Sequence, residues 1–165
     1  MLKASKHCVG FLFLILSLAG CGASDEDVRR VVREELGSAM KRQVITNVDV
    51  VGPYSPAVKI GNFLFVSGQI ALDPGTGRLR NDSIEEETRQ VLDNLMRILR
   101  AEGYDSSHVV SANVYLKNMN DYQRMNLIYG GYFEEGNYPA RVTVEVSNLP
   151  RQANVEISLV AWKGQ

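Results

Sequence analysis

Arg141 and Glu156, set in two strand-like segments, are the residues of this chain most readily turned to chemistry. Arg141 follows Pro139 and Ala140 in YPARVTVEV, and Glu156 lies in NVEISLVAW. Val142, Val144 and Val146 alternate with Arg141, Thr143 and Glu145, while Val155, Ile157 and Leu159 alternate with Glu156 and Ser158. That period of two is the mark of half-buried strands. If both strands bury their aliphatic residues on a common core and pair with each other, Arg141, Thr143, Glu145 and Glu156 share the opposite face. With Val144 opposite Val155, Thr143 falls opposite Glu156 and Arg141 lies diagonally near it. The residues alone leave two readings open. One is an exposed cross-strand ion pair of little energetic weight. The other is a site in which the planar guanidinium grips a carboxylate while the glutamate positions or deprotonates a water.

Other chemistries are narrowed by elimination. The chain has 2 cysteines and 2 histidines. Lys3, Lys6 and His7 precede the apolar run Val9 to Ala19, which is shorter than the roughly 20 residues of a spanning helix and suits a signal-peptide core. It ends in LAGC, Leu18 to Cys21, which resembles a bacterial lipobox. The expectation is a signal segment over 1–21, lipidation at Cys21, and a membrane-anchored protein facing the periplasm or cell exterior. Gly22 in place of an aspartate points to the outer membrane in a Gram-negative cell. Loss of Cys8 and His7 with the signal, and acylation of Cys21, would leave His108 alone, with no His/Cys metal cluster, Cys-His pair or disulfide. A Ser-His-Asp arrangement would have to use His108 beside Ser106 and Ser107. With 18 basic and 19 acidic residues and no basic cluster, nucleic acid is not an expected partner.

These side chains need a scaffold, and 165 residues suffice for one ordinary domain. Residues 22–43 read as a spacer or a short coil, with a helix opened by Ser24 and Asp27. The domain is expected over 44–165. Asn62 to Leu72 reads as a buried strand followed by the DPGTG turn. Ser83 and Glu86 open a helix whose stripe is Ile84, Thr88, Val91, Leu92, Leu95, Ile98 and Leu99, with Gly103 as its stop. Val109 to Met119 alternates as a strand, and Asn120 to Glu135 predicts a second helix with Tyr122, Met125, Tyr129 and Phe133 inward. The order β-β-α-β-α-β-β predicts an α+β fold with two helices on one face of a mixed sheet. Phe65, Tyr115 and Trp162 would then call for a partner over the other face.

Six segments together carry a family resemblance: GPYSPAV, FVSGQI, IEEETRQVLDNL, MNLIYGGYF, YPARVTVEVSNLP and VEISLVA. In this order, across residues 44–162, they resemble the RidA/YjgF family of enamine/imine deaminases. The resemblance implies a chorismate-mutase-like fold, a homotrimer and ligand clefts between subunits. It implies that Arg141 grips the carboxylate of a 2-imino acid, that Glu156 holds or activates the attacking water, and that Tyr54 lines the cleft. Ser67 and Gly68 match the SGQ turn, Asn126 the helix asparagine, and Thr143 the position where many members carry cysteine. No metal or organic cofactor is implied, because an imine carbon is already electrophilic. The expected activity is hydrolysis of small 2-imino or enamine acids to 2-keto acids and ammonia. The alternative is a non-enzymatic trimer that binds small carboxylate metabolites. Ribonuclease activity is disfavoured by the neutral charge and the lack of a catalytic histidine.

Overall fold

The computed structural model of the protein describes residues 24–46 and 52–164; the expected signal segment and Cys21 lie outside the described residues. Two compact units are present. The first contains helix α1, Asp25–Ala39. The Ser24 hydroxyl accepts from the Asp27 amide at 3.2 Å, and the Asp27 carboxylate accepts from the Ser24 amide at 3.3 Å. This reciprocal cap satisfies amides that the first turn cannot pair within the helix, and Asp25, Glu26 and Asp27 sit where the helix dipole favours negative charge.

The second unit runs from Gln43 to Gly164. Its elements are β1 (Gln43–Ile45), β2 (Ala57–Ile60), β3 (Phe63–Gln69), α2 (Ile84–Ala101), β4 (Val109–Leu116), α3 (Tyr122–Gly130), β5 (Ala140–Glu145) and β6 (Val155–Trp162). The six strands lie in the order β1-β2-β3-β6-β4-β5. Every neighbouring pair is antiparallel except β4 and β5, which run parallel. The fold is α+β with a mixed sheet, as expected, and gains one short strand, β1, at its edge.

Helix α2 follows its sequence signals closely. The Ser83 hydroxyl accepts from the Glu86 amide at 3.2 Å, and all seven residues of the predicted stripe are buried. At the other end the Tyr104 and Gly103 amides donate to the Leu99 and Arg100 carbonyls at 2.9 and 3.0 Å. This closure needs a residue with positive φ, and Gly103 supplies it at +77°. The apolar face of α2 meets Leu64 and Val66 of β3, Ala112, Val114 and Leu116 of β4, and Val155, Ile157 and Leu159 of β6 in one buried cluster.

One expectation fails, and it concerns the strand that carries Arg141. β5 does not pair with β6; β4 lies between them. Ala112 of β4 registers with Arg141 on one side and Leu159 on the other, so Arg141 shares the helix-covered face with Leu159. Thr143 likewise registers with Val114, and Glu145 with Leu116. Val142 and Val144 instead face the open side and are 50% and 39% exposed. The cause is topological. α3 carries the chain from β4 to a parallel neighbour, and the next segment passes back over β4 to reach β6. Valine alternation fixes a period but not which face is covered within this unit. The predicted strand over 62–72 and helix over 120–135 are also shorter than expected, with α3 preceded by a 3-10 turn at Met119–Asp121.

Candidate active site

Two groups of polar side chains stand out, and the sheet separates them. The first is built by the β4–α3–β5 unit. Tyr122, Asn126 and Tyr129 are spaced at i, i+4 and i+7, which places them on one face of α3. That face lies over the covered side of β5. The Arg141 guanidinium stacks on the Tyr129 ring at 4.5 Å and lies 5.8 Å from the Tyr122 ring centre. Arg141 Nη2 donates to the Tyr122 hydroxyl at 3.4 Å. Tyr129 is fixed from below by Phe133, whose ring centre is 4.8 Å away.

The electrostatics follow from this stacking. Burial pushes the Tyr129 phenol up to about 12, opposed by the Arg141 charge. The Tyr122 phenol is instead held below its ordinary value, first by the Asn126 amide and then by the Arg141 charge. Arg141 takes part in none of the ion pairs formed among the described residues. Beside it, Asn126 Oδ1, the Tyr129 hydroxyl and Thr143 Oγ1 are the buried side-chain polar atoms that lack a hydrogen-bond partner among the described residues. An unpaired cation beside unpartnered polar atoms is suited to receive an anionic, hydrogen-bonding ligand.

The second group gathers where β3 bulges against β6, with the register shifting between Val66 and Gln69. The Glu156 carboxylate lies over Gly68: a Cβ at position 68 would come within 2.8 Å of Glu156 Cδ. With no side chain at position 68 the carboxylate can lie directly against the backbone, and any Cβ there would push it aside. Partial burial raises the Glu156 pKa above the ordinary carboxylate value. Ser67 serves the loop beside it. Its hydroxyl donates to the Ser55 carbonyl at 2.7 Å and its amide to the Pro56 carbonyl at 3.0 Å. These bonds tie down the turn that carries Tyr54, whose side chain remains exposed. Glu156 registers with Tyr115 of β4, on the open face.

The expected site residues therefore divide into Arg141, Thr143 and Asn126 in one group and Glu156, Gly68 and Ser67 in the other, with Tyr54 on the loop that Ser67 holds. Arg141 and Glu156 are not brought together within one chain. Tyr122 and Tyr129 were expected only as inward helix residues; their seven-residue spacing around Asn126 was the signal of a shared polar face. Asp105 Oδ1 accepts from the Ser107 hydroxyl at 2.5 Å and lies 2.9 Å from His108 Nδ1, which itself lies 3.2 Å from the Asp105 amide nitrogen. The serine thus bonds to the carboxylate rather than to the imidazole, which is not a nucleophile–base relay. No group of three potential metal-ligating residues occurs among the described residues.

Comparison with known proteins supplies an independent line. A family model described as endoribonuclease L-PSP matches residues 44–163. A RutC family protein of Pyrococcus horikoshii is 51% identical over 113 residues, covering 68% of this chain and 89% of that protein. The mouse 2-iminobutanoate/2-iminopropanoate deaminase is 42% identical over 130 residues, covering 77% and 96%. The crystal structure of the Escherichia coli YjgF gene product superposes with a TM-score of 0.69 at 35% identity, covering 74% of this chain and 99% of that one.

Proposed function

This chain belongs to the endoribonuclease L-PSP family, which takes in the RutC and RidA proteins, and on that premise we propose that it is a RidA-type hydrolase of small reactive 2-imino or enamine acids. The observation that carries the reading is Arg141: a stacked, unpaired guanidinium beside three unpartnered polar atoms. A 2-imino acid supplies the carboxylate that such a group binds. Water then adds to the imine carbon as Glu156 takes its proton. The imine nitrogen takes that proton to give a carbinolamine, whose hydroxyl proton then passes to the amino group as the C–N bond breaks, so that a 2-keto acid and ammonia leave. Holding both reactants in place supplies most of the acceleration such an electrophilic carbon needs.

Because Arg141 and Glu156 lie on opposite faces of one sheet, the site we propose is shared between copies of the chain. One copy presents Arg141, Asn126 and Thr143, and its neighbour presents Glu156, Gly68 and Tyr54. The exposed face carrying Phe63, Phe65, Val142, Val144 and Trp162 supports a homotrimer that covers these apolar side chains. The nearly neutral charge and the Asp105-held Ser107 and His108 leave ribonuclease chemistry the weaker reading. The LAGC segment supports lipidation at Cys21 and an outward-facing membrane anchor.

The deaminase reading is tested by generating 2-iminopropanoate in the assay and following its decay with residues 24–165. Decay faster than buffer in wild type, lost in Arg141→Ala, is the expected result. Wild-type decay at the buffer rate overturns it and leaves the carboxylate-binding trimer. For the anchor, a fatty-acid analogue should label the wild-type protein in cells and not Cys21→Ser; an unlabelled wild type removes the anchor.

A further inference from the structure

We propose that Tyr122 reserves one edge of the Arg141 guanidinium and so directs the substrate carboxylate to the other edge. The inference rests on the reading of Arg141 as the carboxylate anchor and adds a residue that decides how the anchor is used.

A guanidinium offers two edges for a bidentate carboxylate, one formed by Nη1 and Nη2 and the other by Nε and Nη2. Nη2 belongs to both, so whichever of its two hydrogens is engaged removes one edge. In this protein Nη2 donates to the Tyr122 hydroxyl at 3.4 Å. The plane of the group is set separately, by stacking on Tyr129. Tyr129 is buried and braced by Phe133, so the platform does not swing. Tyr122 reaches the guanidinium from one helical face with Asn126, whose amide, together with the Arg141 charge, holds the Tyr122 phenol below its ordinary value.

The consequence concerns orientation more than affinity. A 2-imino acid bound through the wrong edge turns its imine carbon away from the water that Glu156 holds. Removing the Tyr122 hydroxyl frees the second edge and lets substrate bind in an unproductive pose. Unproductive binding lowers kcat and KM by the same factor and leaves kcat/KM unchanged, because the free enzyme and the productive transition state are untouched. A change that merely loosened the fold or weakened the anchor would raise KM instead.

The test uses Tyr122→Phe, which keeps the ring at a partly exposed position and removes only the hydroxyl. With 2-iminopropanoate generated in the assay, kcat and KM should both fall about twofold if the two edges become equally populated, with kcat/KM unchanged. A second measurement does not depend on turnover. In protein saturated with 2-oxobutanoate, the Arg141 guanidinium nitrogens should give one set of NMR signals in wild type and two sets, or exchange-broadened signals, in Tyr122→Phe. A single set in both proteins overturns the proposal, as does an unchanged kcat or a rise in KM. If wild type binds 2-oxobutanoate at Arg141 but does not hydrolyse the imine, the deaminase reading fails and the signal count alone decides the role of Tyr122. If 2-oxobutanoate leaves the Arg141 signals unmoved in wild type, the anchor fails and this proposal falls with it.

Discussion

Arg141 and Glu156 project from opposite faces of the same sheet, Arg141 in register with Ala112 on the helix-covered side and Glu156 in register with Tyr115 on the open side. A backbone layer separates them, so a site that uses both is most simply assembled from neighbouring copies. Two inactive variants should therefore restore each other. Arg141→Ala and Glu156→Ala, each inert alone, should recover up to about a quarter of wild-type rate when co-refolded at equal amounts, the share of correctly ordered neighbours in a random cyclic trimer. Imine decay in the mixture measures this. A mixture as inert as its components would mean that the site is not assembled from these two residues across copies.

Gly68 should be intolerant of even one methyl group, for a reason unrelated to backbone strain. The Cβ of an alanine there would collide with the Glu156 carboxylate, whose Cδ is 2.8 Å from the required position. The end of a flexible side chain can swing aside, so the fold should survive. Gly68→Ala should melt within a few degrees of wild type while losing about a hundredfold in kcat, the scale expected when a catalytic group is displaced by about an ångström. Thermal unfolding and imine decay measured on the same sample check both halves. Full activity would show that the carboxylate works from another position.

The pH dependence should carry the mark of Glu156. Burial raises its pKa, so the folded protein holds that proton more tightly than the unfolded chain does. Its contribution to stability is therefore fully present below the ordinary glutamate value and is lost as pH rises through the raised one. For catalysis the sign is reversed, since only the ionised form accepts a proton from water. The rate should fall with falling pH along a limb placed above the ordinary glutamate range, and Glu156→Gln should abolish that limb. A profile of kcat/KM against pH measures it, and a limb at or below the ordinary value would count against Glu156 as the base.

The fold was far more legible in the sequence than the arrangement of the site. α2 could be read almost residue by residue, because Ser83, the apolar stripe and Gly103 are local signals and the structure obeys each. Arg141 was legible as a residue of interest, but its face was not. Alternation in YPARVTVEV is symmetric between the two sides, so it does not reveal that the valines face the open side and Arg141 the covered one. What decides the matter is the insertion of β4 between β5 and β6, a non-local fact. The polar line Glu87, Gln90 and Asn94 on the buried side of α2 was also missed. Each of its members is buried and hydrogen-bonded, and Asn94 Nδ2 reaches the Leu72 carbonyl at 2.8 Å, just beyond the Gly68 bulge.

Glu87, the most deeply placed of that line, should be the costliest of the three to remove. It is fully buried, and its two carboxylate oxygens accept from the Asn154 amide at 2.7 Å and from Asn154 Nδ2 at 2.8 Å. It sits in the first turn of α2, where the helix dipole favours a negative charge. Through Asn154 it fixes the chain just before β6, two residues ahead of Glu156, and the Asn154 carbonyl in turn accepts from Lys117 at the end of β4. Glu87→Ala would leave two partly buried donors without partners and open a cavity, so a loss of roughly 3–5 kcal/mol is expected. Glu87→Gln keeps one acceptor oxygen but turns an N–H toward one of the Asn154 donors, and should fall between wild type and alanine. Denaturant unfolding of the three proteins ranks them, and an alanine variant within about 1 kcal/mol of wild type would show that water satisfies Asn154 as well as the carboxylate does.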